Sequence, residues 1–148
     1  EIESTLMKPA MLNHPSTIWA RQSIHNTMWL FEHGIALCKE FEFRYGKEHG
    51  SYSRMLQTPM EYDADSTLAT PVDIAMADVY RIGNEYGEHC WEFVIDSYRH
   101  YYLEGKWKFA EWRNERMPNW WPKDHFKNKR NKEIMAFNER FGASIELM

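Results

Sequence analysis

The feature that most constrains this chain is a long apolar stripe at helical spacing. Between Ile18 and about Tyr45, Ile24, Met28, Phe31, Ile35 and Cys38 recur every three or four residues, with Phe41 beside them. That period matches one face of an α-helix and no face of a strand. A helix of this length would measure roughly 40 Å at 1.5 Å per residue. His14-Pro15 breaks the chain before it, and Ser16 or Thr17 is positioned to cap it. Tyr45-Gly46 reads as its stop, and Gly34 as a place where it kinks or divides.

No other segment shows the alternation of a strand. A short helix or extended lead-in over 1–12 stops near Pro9, and residues 46–72 read as loop, rich in Gly, Pro, Asp and Ser. A short helical turn follows Pro71. A second helix is predicted over 84–104, with Cys90, Phe93, Val94, Tyr98 and Tyr101 on one side and Gly105 as an end or a bend. A helical pattern continues over 106–116 to Met117-Pro118, and Pro118 and Pro122 frame Asn119-Trp120-Trp121 as a turn. A last helix runs from about Asn128 to Phe141 and ends at Gly142. The expected fold is all-α: a single compact domain over 1–148, one long N-terminal helix and two to four further helices.

Composition narrows the class. At 148 residues the chain is of one-domain size. Its mean hydropathy of −0.70 and lack of a long apolar run argue against a membrane span. The opening Glu1-Ile2-Glu3 is acidic where a secretory leader is basic, and a first residue other than Met points to a processed or partial chain. Cys38 and Cys90 form no CxxC and are expected to be buried thiols in a reducing compartment. There is no HExxH, no pair of His four apart, no phosphate-binding glycine loop and no GxSxG. His25 and His33, eight apart on the long helix with Glu32 and Glu40 nearby, read as surface or capping residues rather than metal ligands.

Charge is unevenly placed. The net charge is −4, yet residues 106–132 carry nine Lys or Arg against three acids. Trp107, Trp112, Trp120 and Trp121 are interleaved with these cations in a chain that is 16% aromatic. Cations for phosphate and rings for bases are the footprint of a nucleic-acid surface. The alternative is a solvated amphipathic helix whose indoles dock on the core. Glu40 and Arg44 sit four apart, either a helix-surface ion pair or a carboxylate and anion clamp beside a substrate.

Three strings carry a resemblance. They are Asn13-His14-Pro15-Ser16-Thr17-Ile18-Trp19-Ala20-Arg21; Ala36-Leu37-Cys38-Lys39-Glu40 through Arg44-Tyr45-Gly46-Lys47-Glu48-His49; and Tyr98-Arg99-His100-Tyr101-Tyr102 through Trp112 to Pro118-Asn119-Trp120-Trp121. Over about residues 13–121 the chain resembles a family of small tailed-phage proteins. Many of its members are labelled pyrimidine-dimer DNA glycosylases, by distant similarity to phage endonuclease V. Thr70-Pro71 to Ala75-Met76-Ala77 resembles a further segment of that family, with Ala77 in place of its Pro. Residues 122–148 form an extension beyond the resemblance.

The resemblance implies an all-α enzyme with no metal or organic cofactor. It would remove a damaged pyrimidine by amine attack and cut the strand through a Schiff base. It carries over His14, Arg21, Glu40, Arg44 and His49 as substrate or DNA contacts, with Glu40, His14 and His49 the catalytic candidates. It does not carry over the nucleophile, which in endonuclease V is the mature N-terminal amine. Double-stranded DNA is the implied partner. Arg21, Arg44, Lys106, Lys108, Arg113 and Arg116 would hold phosphates, and Trp120 or Trp121 would stack on a base or fill the gap it leaves. The expected location is the host-cell cytoplasm. The competing class is a non-catalytic phage protein, structural or bound to a host factor through an aromatic, charged helical surface.

Overall fold

A computed structural model describes residues 10–58, 69–82, 89–113 and 116–148, and among these residues every regular element is helical. The helices are α1 (Pro15–Gln22), α2 (Ile24–Tyr45), α3 (Tyr52–Gln57), α4 (Trp91–Gly105) and α5 (His125–Phe141). Short 3₁₀ turns occupy Asp78–Tyr80 and Trp107–Phe109. Residues 1–9 of the expected 1–12 lead-in, 59–68 of the expected 46–72 loop, 84–88 of the expected 84–104 helix and residues 114–115 fall outside the described residues. Among the described residues, 10–12 are not helical, Tyr52–Gln57 of the expected loop is α3, and the 84–104 helix is seen from Trp91, after His89 and Cys90. The chain divides into two compact units: Glu1–Ala77 with Asn84–Ile95, and Asp78–Gly83 with Asp96–Met148.

In the first unit, the long N-terminal helix is two helices. The apolar stripe runs across their junction, but Ser23 is extended (φ −152°, ψ 155°) and its Oγ accepts from the Asn26 N–H at 3.1 Å, capping α2. The cap before α1 is His14 rather than Ser16 or Thr17. Its Nδ1 accepts from the Ser16 N–H at 3.2 Å, with Pro15 at the first helical position. Gly34 does not divide α2, which runs 22 residues to a left-handed cap at Gly46. A Cβ there would lie 2.5 Å from Cε of Met55, the flexible end of a side chain on α3.

The corner is closed by a buried polar knot. Asn26 is 1% exposed. Its Nδ2 donates to Trp19 O at 2.9 Å, and its Oδ1 accepts from the N–H and Oγ1 of Thr70 at 3.0 and 3.2 Å. Trp19 Nε1 donates back to Thr70 Oγ1 at 3.0 Å. No buried side-chain polar atom among the described residues lacks a partner, as low-dielectric interiors demand. Around the knot, Trp29 stacks on Trp91 at 5.1 Å and on His33 at 5.0 Å, and meets Trp19 edge-on at 5.7 Å. Ile74 and Val94 are buried in the same unit.

In the second unit, buried Ser97 on α4 accepts from the Ile82 N–H at 3.4 Å, and His100 Nδ1 donates to Tyr80 O at 2.9 Å. Among the described residues, the helix expected over 106–116 is reduced to one 3₁₀ turn, Trp107–Phe109, with Ala110 extended after it, and the buried Trp107 packs edge-on against Phe126 of α5. α5 starts three residues before the expected Asn128. Its first residue, His125, donates from Nε2 to Leu103 O at 2.8 Å.

Candidate functional site

The second half of α2 carries two of the residues that the sequence singles out, Glu40 and Arg44. Arg44 Nε donates to Glu40 Oε1 at 2.7 Å, one helical turn apart, and both side chains are partly exposed.

His49 follows the helix on the loop to α3. Its Nδ1 accepts from the Ser51 N–H at 3.2 Å, which places the proton of the neutral ring on Nε2. The same Nδ1 lies 3.8 Å from Cys38 Sγ, and Phe41 meets the ring edge-on at 4.9 Å. His49 thus pins the loop to the Cys38 and Phe41 side of α2. At about 100° per residue, Glu40 lies roughly 160° around the helix from Cys38, so these two catalytic candidates occupy different sides of α2. His14 uses its Nδ1 to cap α1, so the Nδ1 atoms of His14 and His49 are both engaged by backbone N–H groups. The Cys38–His49 contact is invisible in sequence, where eleven residues and a helix stop separate the two.

The cations are partly engaged. Arg21 Nη2 donates to Leu12 O at 2.9 Å, tying down the chain before α1. Lys106 sits over the Tyr101 and Phe109 rings at 5.6 and 5.7 Å. Lys108 pairs with Glu133 at 2.7 Å and covers Trp107. Lys129 pairs with Glu104, and Arg130 with Glu133 at 3.1 Å. The hydrogen bond from Lys129 holds the Glu104 carboxyl below its ordinary range, and that from Lys108 does the same for Glu133. The strongly basic segment is therefore neutralised in part by acids outside it. Arg113 and Arg116 are exposed.

The indoles divide into core and surface. Trp121 is 5% exposed and is packed edge-on by Trp112 at 5.2 Å, Trp120 at 5.7 Å and His125 at 5.1 Å. Trp120 is half-exposed with the Arg99 guanidinium 5.7 Å from its ring. Of the pair, Trp120 is the ring that solvent reaches. Among the described residues, no three His, Cys, Asp or Glu side chains gather to hold a metal ion, and no helix is long and apolar enough to cross a membrane.

No protein-family model, no curated protein and no solved structure matches the chain.

Proposed function

We propose that this chain binds DNA and excises damaged pyrimidines as a glycosylase with lyase activity. The observation that carries the reading is the Glu40–Arg44 pair, a clamped carboxylate within one of the strings that resemble the phage family. In this scheme an amine of the chain attacks C1′ of the damaged nucleotide. The bond to the pyrimidine nitrogen breaks, and the base leaves with the electron pair and takes up a proton. Glu40 faces the positive charge that develops on the sugar, and Arg44 orients Glu40 and meets a phosphate. The sugar ring then opens: the C1′–O4′ bond breaks, O4′ takes up the proton that the attacking amine gives up, and the resulting iminium loses a C2′ proton and expels the 3′ phosphate. In the second unit, Trp120 offers a stacking face, with Arg99, Arg113 and Arg116 as cations.

Borohydride trapping tests this directly. A duplex with one cyclobutane thymine dimer is incubated with the chain, and an undamaged duplex serves as control. A covalent adduct with the damaged duplex alone is the expected result, and peptide mapping of that adduct identifies the amine. No adduct, together with no salt-dependent binding to either duplex, would remove the reading.

The apolar surface favours a second reading, a protein-binding module. Leu30 and Leu37 lie two turns apart on α2 and are both exposed, as are Val79 and Phe109. This reading gains if the chain ignores DNA and captures a protein partner through α2, with capture lost in Leu30→Glu/Leu37→Glu.

A further inference from the structure

Three rings of the first unit form a continuous stack that ends at the surface. Trp91 lies against Trp29 with ring centroids 5.1 Å apart and planes 30° apart. Trp29 lies against His33 at 5.0 Å and 8°. Both indoles are half-buried and anchored: Trp91 Nε1 donates to Ala69 O at 3.3 Å, and the buried Trp19 packs edge-on against Trp29. His33 is exposed. Among the described residues it makes no hydrogen bond or ion pair, and Trp29 is its one ring partner. An exposed imidazole held parallel to an indole offers its second face to a further flat ring.

The same face of α2 carries the Glu40–Arg44 pair. His33 and Glu40 are seven residues apart, so they differ by about 20° around the helix and stand about 10.5 Å apart along it. Arg44 lies within the same arc, and Leu37, 58% exposed, sits between His33 and Glu40 along the axis. This row matches the chemistry of a nucleic-acid strand. A flat ring takes a base, and a guanidinium takes a phosphate.

Spacing decides which base. In the proposed reaction Glu40 faces the sugar under attack, and the damaged base is bonded to that sugar. The His33 imidazole stacks on Trp29, one turn further from Glu40, so it stands about three 3.4 Å stacking steps or more from the reacting sugar. The damaged base cannot reach it. A cyclobutane dimer, saturated at C5 and C6, is also not flat enough to extend the stack.

We infer that His33 is a base-stacking residue for an undamaged nucleotide that flanks the lesion on the same strand. Its base leaves the duplex and continues the Trp91–Trp29–His33 stack. Unstacking costs least where damage has already weakened the duplex, and stacking on a ring tolerates any base. This inference rests on the DNA reading and adds to it the residue that grips the strand beside the reacting nucleotide.

The test uses the full chain and duplexes with one cyclobutane thymine dimer. In each duplex 5-iodouracil replaces one nucleotide, one or two places from the dimer on either side. Long-wavelength ultraviolet light joins this ring to an aromatic side chain stacked on it, with loss of hydrogen iodide. A crosslink from one of these positions, mapped to His33 by mass spectrometry and absent in His33→Ala, is the expected result. Anisotropy at fixed salt should show His33→Ala binding the damaged duplex about tenfold more weakly. His33→Phe should restore affinity, because a phenyl ring stacks without a donor or acceptor. Circular dichroism should show equal helix content in all three chains. No crosslink to His33 from any position, native affinity in His33→Ala, or no rescue by His33→Phe would overturn the inference while borohydride trapping, and with it the DNA reading, stands. A native chain that neither binds the damaged duplex nor is trapped on it would overturn both.

Discussion

Asn26, at the first turn of α2, holds the main-chain N–H of Thr70 at 3.0 Å across 44 residues of sequence. This one side chain joins the α1–α2 corner to the distant strand-free segment around Pro71. It also satisfies the Trp19 carbonyl at 2.9 Å. Asn26→Ala strands a buried donor and a buried acceptor together. The expected loss is about 2–4 kcal/mol, read as a lower urea midpoint at pH 7.

Two glycines separate cheap from costly crowding. A Cβ at Gly34 would meet only the flexible end of Met55, at 2.5 Å from its Cε. Gly34→Ala is therefore expected to be neutral or to stabilise by up to about 1 kcal/mol through helix propensity. A Cβ at Gly105 would lie 2.8 Å from Cζ of the Tyr80 ring, which cannot fold aside. Gly105→Ala should cost about 1–3 kcal/mol. Thermal unfolding of the two variants in parallel checks the opposite signs.

The adjacent indoles Trp120 and Trp121 should fail differently. Trp121→Ala opens a cavity under Trp112, Trp120 and His125 and is expected to cost about 3–5 kcal/mol. Trp120→Ala should leave near-ultraviolet circular dichroism largely intact. If the DNA reading holds, it weakens binding to the damaged duplex by about 1–3 kcal/mol, measured by anisotropy at fixed salt. Glu40→Gln should keep DNA affinity and lose borohydride trapping.

The ion pairs of the second unit set an acid dependence. Lys129 and Lys108 hold the Glu104 and Glu133 carboxyls below their ordinary values in the folded chain. The folded state therefore binds fewer protons than the unfolded one near the carboxylate range. The stability this contributes is present above the unfolded value of about 4.3 and is lost as pH falls through the lower folded values. Lys129→Met should flatten the decline of stability between neutral pH and about pH 3. Because the Lys129–Glu104 pair is solvent-facing, its effect at pH 7 should not exceed about 1 kcal/mol.

Much of the fold was legible in sequence for local reasons. The stripe from Ile24 to Cys38, the stop at Gly46 and the stop at Gly142 each depend on residues within a turn or two. The break at Ser23 had a local signal too, an N-cap residue three before the amide it caps, but the continuous apolar stripe masked it. The segment over 106–116 misled for the opposite reason. Its helical pattern gives way to one 3₁₀ turn, whose buried Trp107 packs on Phe126, a partner that the local pattern does not show. Of the candidate site, only the Glu40–Arg44 pair could be read directly, since four residues of helix bring its partners together.

Sequence by itself determined the all-α class and three helix stops, at Tyr45, Gly105 and Phe141, because apolar period and capping residues act over a few positions. Tertiary structure alone decided which residues meet. It placed Thr70 on Asn26, His49 on Cys38, Glu104 on Lys129, and Ile145 on Asn138. It also sorted Trp121 into the core and left Trp120 at the surface. Such pairings depend on how chain reversals at loops bring distant segments into contact, and no local pattern encodes that geometry.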